Sequence, residues 1–130
     1  IIINSYATHV DAEQLSAWLY QSFGTDDILF VVSTDFSHYL DKETADKNDA
    51  YMEELIETGD TEKIARLNND YIDSPVSLAT ILLLAEKFGW QHEIVYHGNS
   101  FDFLLEKPSE TTSYFGISFF FYSRRFTFFK

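Results

Sequence analysis

Seven consecutive residues, Ser33-Thr34-Asp35-Phe36-Ser37-His38-Tyr39, bring hydroxyl, carboxylate and imidazole groups together directly after the apolar run Ile28 to Val32. A carboxylate close to an imidazole is the pairing that acid–base chemistry requires: His38 would be a base or ligand, and Asp35 would orient the ring or cap the loop. The His38 ring is also the residue here best suited to hold a metal. Ser33 and Ser37 lie near His38 along the chain, but such adjacency is not triad geometry. No nucleophile-elbow, phosphate-loop, dinucleotide or zinc-finger spacing is present.

Further chemistry-bearing residues follow other expected strands. His9 lies beyond the first, and His97, Ser100 and Asp102 lie in the loop His97-Gly98-Asn99-Ser100-Phe101-Asp102. Parallel strands would deliver these loops to one sheet edge, where ligands of open α/β sheets bind. Two imidazoles and a carboxylate there would suffice for a ferrous or zinc site. The same residue types have structural uses: Asp35 as a turn or helix cap, and His9, His38, His92 and His97 as rings bonded to backbone.

The elements expected to position these groups alternate. Ile1 to Tyr6 reads as a strand, and Asp11 with Gln14 as the capping box of a helix through Phe23 that Gly24 closes at positive φ. Ile28 to Val32, β-branched and apolar without alternation, reads as a central parallel strand. Asp41 caps a helix to Thr58 before Gly59, with Ala45, Met52, Leu55 and Ile56 inward, and Asp60 caps a short one, Thr61 to Leu67. Ser74-Pro75 opens a helix to Phe88 before Gly89 that is apolar nearly all round. Glu93 to Tyr96 and Ser113 to Tyr122 complete the strands, the last one a candidate for antiparallel pairing. The order predicts one α/β domain: a mostly parallel sheet flanked by helices in three layers.

Composition narrows the function. With 130 residues and 45% apolar content the chain can build one core. The absence of cysteine excludes disulfides, thiol nucleophiles and Cys-based metal sites, and we expect a cytoplasmic protein. A net charge of −12 disfavours nucleic acid and anionic membranes as partners. The chain shows no signal peptide or apolar span, and without an initiating Met it reads as part of a longer protein. Thirteen Phe and eight Tyr, crowded into Tyr114 to Tyr122 and Phe126 to Phe129, give more apolar surface than an isolated edge strand should show to water.

Val31-Val32-Ser33-Thr34-Asp35-Phe36-Ser37-His38-Tyr39 resembles the signature of the Memo-like family, whose bacterial members are called AmmeMemoRadiSam system protein B. Ser74-Pro75-Val76 through Leu84, Phe88-Gly89-Trp90, Tyr96 through Asp102 and Tyr114-Phe115-Gly116 are similar to later stretches of that family, with Phe101 in place of a family Gly. The resemblance spans nearly the whole chain, and its specific part is Ser33 to Tyr39. It implies a fold like that of the class III extradiol non-haem-iron dioxygenases. It also implies a pocket to which Asp35 and His38 contribute, lined by Ser33, Thr34, Tyr71, His97, Ser100 and Asp102. His38 would be a base or metal ligand, with iron, copper or zinc the metals implied for a full-length protein. Two departures stand out: the family's amino-terminal half with two His ligands is absent, and Tyr71 stands near its Cys ligand position. The resemblance therefore implies no turnover by this chain alone, and as partners the missing half, a second copy, or other AmmeMemoRadiSam system proteins. The alternative is an interaction module docking through the Phe-rich strand and the helix 75–88, since family members are also linked to protein binding, phosphotyrosine peptides and redox roles. The acidity of this chain disfavours a phosphopeptide.

Overall fold

Asp41 and Gly59 set the limits of the longest helix. In the computed structural model, which describes residues 1, 3, 6–24 and 27–121, the Asp41 carboxylate accepts the Thr44 backbone N–H at 3.0 Å. That donor has no partner inside the helix, so the cap removes an unmet hydrogen bond. The helix α2 (Lys42–Thr58) stops where Gly59 takes φ 66°, a left-handed conformation natural to glycine. Asp60 caps α3 (Thr61–Ile64) by accepting the Lys63 N–H, and α4 (Pro75–Phe88) starts with Pro75 in its first turn and closes at Gly89, φ 69°. These limits match the sequence reading, except that α3 ends at Ile64 rather than Leu67.

The first helix, α1 (His9–Phe23), begins earlier than expected. Thr8 is its cap, and the Asp11 carboxylate accepts the Thr8 N–H and hydroxyl, each at 2.7 Å, so Asp11 is the returning arm of the box. Gly24 ends the helix at φ −63°, not at positive φ. It is needed instead for space, since a Cβ there would stand 2.5 Å from the Tyr20 carbonyl oxygen.

The core lies where α1 packs on α4 and the inner face of α2 joins them. Ala12, Leu19, Met52, Leu55, Ile56, Leu78, Ile81, Leu82 and Leu84 are buried there, with Ile64, Ile72 and Phe36. Each large side chain so buried contributes about 1.5–3 kcal/mol.

The sheet holds β1 (Phe36–Leu40), β2 (Gln91–Asn99) and β3 (Thr111–Phe120) in the order β1-β3-β2, and both pairings are antiparallel. The protein is therefore mixed α/β, but among the described residues the mostly parallel sheet expected from the sequence is not what forms. β2 and β3 are joined through the short helix α5 (Ser100–Phe103) and a bend, a link that suits antiparallel neighbours and is shorter than a usual parallel crossover. β3 then lies between β1 and β2 and keeps them from pairing.

Three strand limits also differ. Ile28 to Val32 belongs to no strand, and the polar residues after it form β1 instead. β2 continues through His97-Gly98-Asn99, which the sequence reading assigned to a loop, because each pairs with β3. Residues 1, 3 and 6 of the expected first strand are not in one, and its other residues lie outside the described set, as do Tyr122 and Phe126 to Phe129. No helix among the described residues is long and apolar enough to cross a membrane.

Candidate functional site

The apolar face of α2 contains one carboxylate. Ala45, Asp49, Met52 and Ile56 recur at helical spacing, so Asp49 points into the core and is 1% exposed. A buried carboxylate is costly unless donors surround it. Here the Ser37 and Ser113 hydroxyls each donate to it at 2.5 Å, and His97 Nε2 lies 2.8 Å away. Ser37 is on β1, His97 on β2 and Ser113 on β3, so one side chain ties every strand of the sheet to α2. A carboxylate oxygen accepts, so in this contact the His97 ring donates from Nε2. The ring stacks on Phe115, 4.3 Å between centroids, which fixes its orientation.

The Asp49–Ser37 bond shapes the stretch that carries the expected catalytic pair. Phe36 pairs with Ser113 and Leu40 with Thr111, leaving three residues on β1 opposite one on β3. The excess is absorbed by a bulge in which Ser37 and Tyr39 take φ 41° and 56°. Positive φ in non-glycine residues is uncommon and costs about 1–3 kcal/mol each. Ser37 is held there by its hydroxyl bond to Asp49 and by its N–H bond to the Tyr71 carbonyl, 3.0 Å. The residue between, His38, is thereby turned outward, stacked on Tyr39 at 4.0 Å.

Asp35 and His38 face each other on this rim. Their carboxylate oxygen and Nε2 are 3.8 Å apart, with the side chains 44% and 29% exposed. This is ion-pair distance, longer than a hydrogen bond. Neither residue lines the clefts of about 720, 370, 590 and 250 Å³ that open among the described residues. As it stands the pair can hold or pass a proton at the surface but encloses no substrate.

The other expected pocket residues are dispersed. Thr34 donates to Asp73 and accepts the Ser74 N–H at 3.2 Å, tying the start of α4 to the rim. Tyr71 packs edge-on against Tyr51. The Ser100 hydroxyl meets the Thr111 hydroxyl at 3.0 Å, and Asp102 and Ser33 are exposed. His9 bonds the Thr61 hydroxyl at 3.1 Å, and His92 bonds the Ile56 carbonyl at 2.7 Å. The shared rim of three imidazoles and two carboxylates does not assemble, because its strands do not run parallel as neighbours.

The metal expectation meets the same obstacle. No group of three or more His, Asp or Glu side chains poised around a metal occurs among the described residues. His38 and Asp35 offer at most two of the three protein ligands such a site needs. The residues present do not make up the implied site, and no step of chemistry is derived through it.

The sequence reading missed Asp49 and Ser113. A carboxylate inside the apolar stripe Ala45–Met52–Ile56 was the available signal for the first. Compared with known proteins, the chain matches no family model and no curated sequence.

Proposed function

We propose that this chain is a Memo-like α/β unit with the three-layer, dioxygenase-type arrangement reached on completion, and that it works as one part of a composite binding site. Asp35 and His38 are its contribution, and a further polypeptide laid along residues 28–34 closes the site over them. The observation that carries this reading is the segment that leads into the pair. Leu29 and Val31 are 85% and 76% exposed, in a run as apolar as a core strand. An apolar cleft of about 370 Å³ lies against Ile28 to Ser33, and another of about 250 Å³ separates Phe30 to Thr34 from Phe115, Ile117 and Phe119 of β3. An apolar segment whose backbone N–H and C=O groups have no ladder partner among the described residues is a template for strand addition.

The docking surface is this segment rather than the helix 75–88. α4 buries eight side chains within the chain itself and leaves little apolar surface for a partner. The partner is the family's amino-terminal half, a second copy, or another AmmeMemoRadiSam system protein, in a cytoplasmic setting.

Two measurements test the reading. Titration of the chain with ferrous, cupric and zinc ions should show no site tighter than micromolar, and a tight stoichiometric site would overturn the composite view. Sedimentation with a hydrophobic dye should show association or dye binding that L29D/V31D abolishes. A strict monomer without dye binding would refute the docking surface.

A further inference from the structure

The exposed run before the rim alternates along its length. Leu29, Val31 and Ser33 face solvent, Ile28 and Val32 are about half as exposed as Leu29 and Val31, and the Phe30 ring packs against Phe88 and Trp90 with centroids 6.3 and 6.4 Å away. Alternation with a period of two is that of an extended strand with one face turned inward. The backbone groups of Ile28 to Ser33 have no ladder partner among the described residues. At Asp35 the open stretch ends, because its N–H reaches the Asp73 carboxylate at 3.2 Å and its C=O accepts the Asp73 N–H at 3.0 Å. An exposed carboxylate thus stands at each end of the uncharged run, Asp27 before it and Asp35 after it.

These charges decide how such a run can pair with itself. A two-fold axis normal to an antiparallel strand pair keeps each face of the strand on its own side, so residues of the same face meet and the axis passes through a residue position. With Val31 on the axis, Asp27 of one copy stands opposite Asp35 of the other, and like charges directly opposed are destabilising. With Leu29 on the axis, Val31 stands opposite the Asp27 carboxylate. With Phe30 on the axis, Leu29 opposes Val31, Ile28 opposes Val32 and Asp27 opposes the Ser33 hydroxyl. Only this last register matches apolar with apolar and polar with polar.

We propose that the polypeptide laid along this segment is a second copy of the same chain, paired antiparallel about Phe30. The proposal rests on the composite-site reading above and names its partner. The two most exposed side chains of the run, Leu29 and Val31, then cover those of the other copy, and the ladder itself is built from uncharged residues although each chain carries a net charge of −12.

The chain has no cysteine, so L29C and V31C each carry a single thiol. Directly opposed Cβ atoms in an antiparallel pair lie about 4.5–5.5 Å apart and diagonal ones about 7–8 Å, and a disulfide needs about 3.5–4.5 Å. Under mild oxidation an equal mixture of L29C and V31C should therefore form the mixed 29–31 dimer about tenfold faster than either variant alone links to itself, as read by mass spectrometry. Faster self-linking of V31C or of L29C would overturn the register about Phe30. Equal rates for all three pairs would mean random collision and overturn the pairing. The unaltered chain, followed by sedimentation at the same concentration, should be a dimer. A monomer that binds hydrophobic dye, with L29D/V31D abolishing the binding, would overturn the second copy and leave the docking surface to a different polypeptide, whereas a monomer without dye binding would overturn both.

Discussion

Ser37 donates its hydroxyl hydrogen to the buried Asp49 carboxylate across 2.5 Å, and this contact holds the β1 bulge that turns His38 outward. The helix thus sets the geometry of the rim from beneath. Replacing Asp49 with Ala should leave the two serine hydroxyls and the His97 N–H unmatched. We expect a loss of about 3 kcal/mol, a large share of a domain's total, read from urea unfolding.

Ser37 separates the bond from the backbone strain. S37A removes the hydroxyl and keeps a Cβ at φ 41°, for an expected loss of about 1–2 kcal/mol. S37G also removes the hydroxyl but accepts the left-handed backbone. It should be the more stable of the two by about 1 kcal/mol, and the reverse order would show that the strain is not real.

Gly59 and Gly89 test the helix stops. A Cβ at either would meet nothing within 4 Å, so Ala there is penalised by φ 66° and 69° alone. Each substitution should cost about 1 kcal/mol and lower Tm by a few degrees. Where a clash governs, as at Gly24, the loss should be larger.

Acid should loosen the helix starts. Hydrogen bonds from Thr8 hold the Asp11 carboxyl below its usual range, those from Thr44 do the same for Asp41, and Lys63 does so for Asp60. A depressed folded value means that the stabilisation is fully present above the ordinary carboxylate range and is lost as pH falls through the folded value. Helical circular dichroism followed from pH 5 to pH 2 should therefore fall, and D41N should remove the part of the acid response that belongs to α2.

The exposed run before the rim should matter for association and not for stability. L29S/V31S removes apolar side chains that face solvent, so unfolding should change by no more than about 0.5 kcal/mol. Association, measured by sedimentation, should fall sharply. A stability loss comparable to a core substitution would show instead that the run is packed.

Much of the helical framework was legible because its signals are local. Asp41, Gly59, Asp60, Pro75 and Gly89 each act on backbone within a turn of themselves, and the structure places them as read, whereas Ser74 holds the cap position but turns its hydroxyl to that of Ser77. The strands were less legible. Ile28 to Val32 has strand-like composition, yet a strand exists only where another chain segment meets it, and the ladder on β3 went to Phe36–Leu40. Of the candidate pair, Asp35 and His38 were visible as residue types three positions apart, and their 3.8 Å approach depends on the bulge.

By itself the sequence determined the limits of α2 and α4, the start of α3, and that the core would draw on α2 and α4. Tertiary structure alone decided that the sheet is antiparallel, that His97 turns to Asp49 rather than to His38, and that a lone carboxylate at position 49 holds the strands together. The reason is physical: caps and apolar periodicity act over a few residues, whereas pairing and buried hydrogen bonds join residues as far apart as 49 and 113, whose encounter no local pattern encodes.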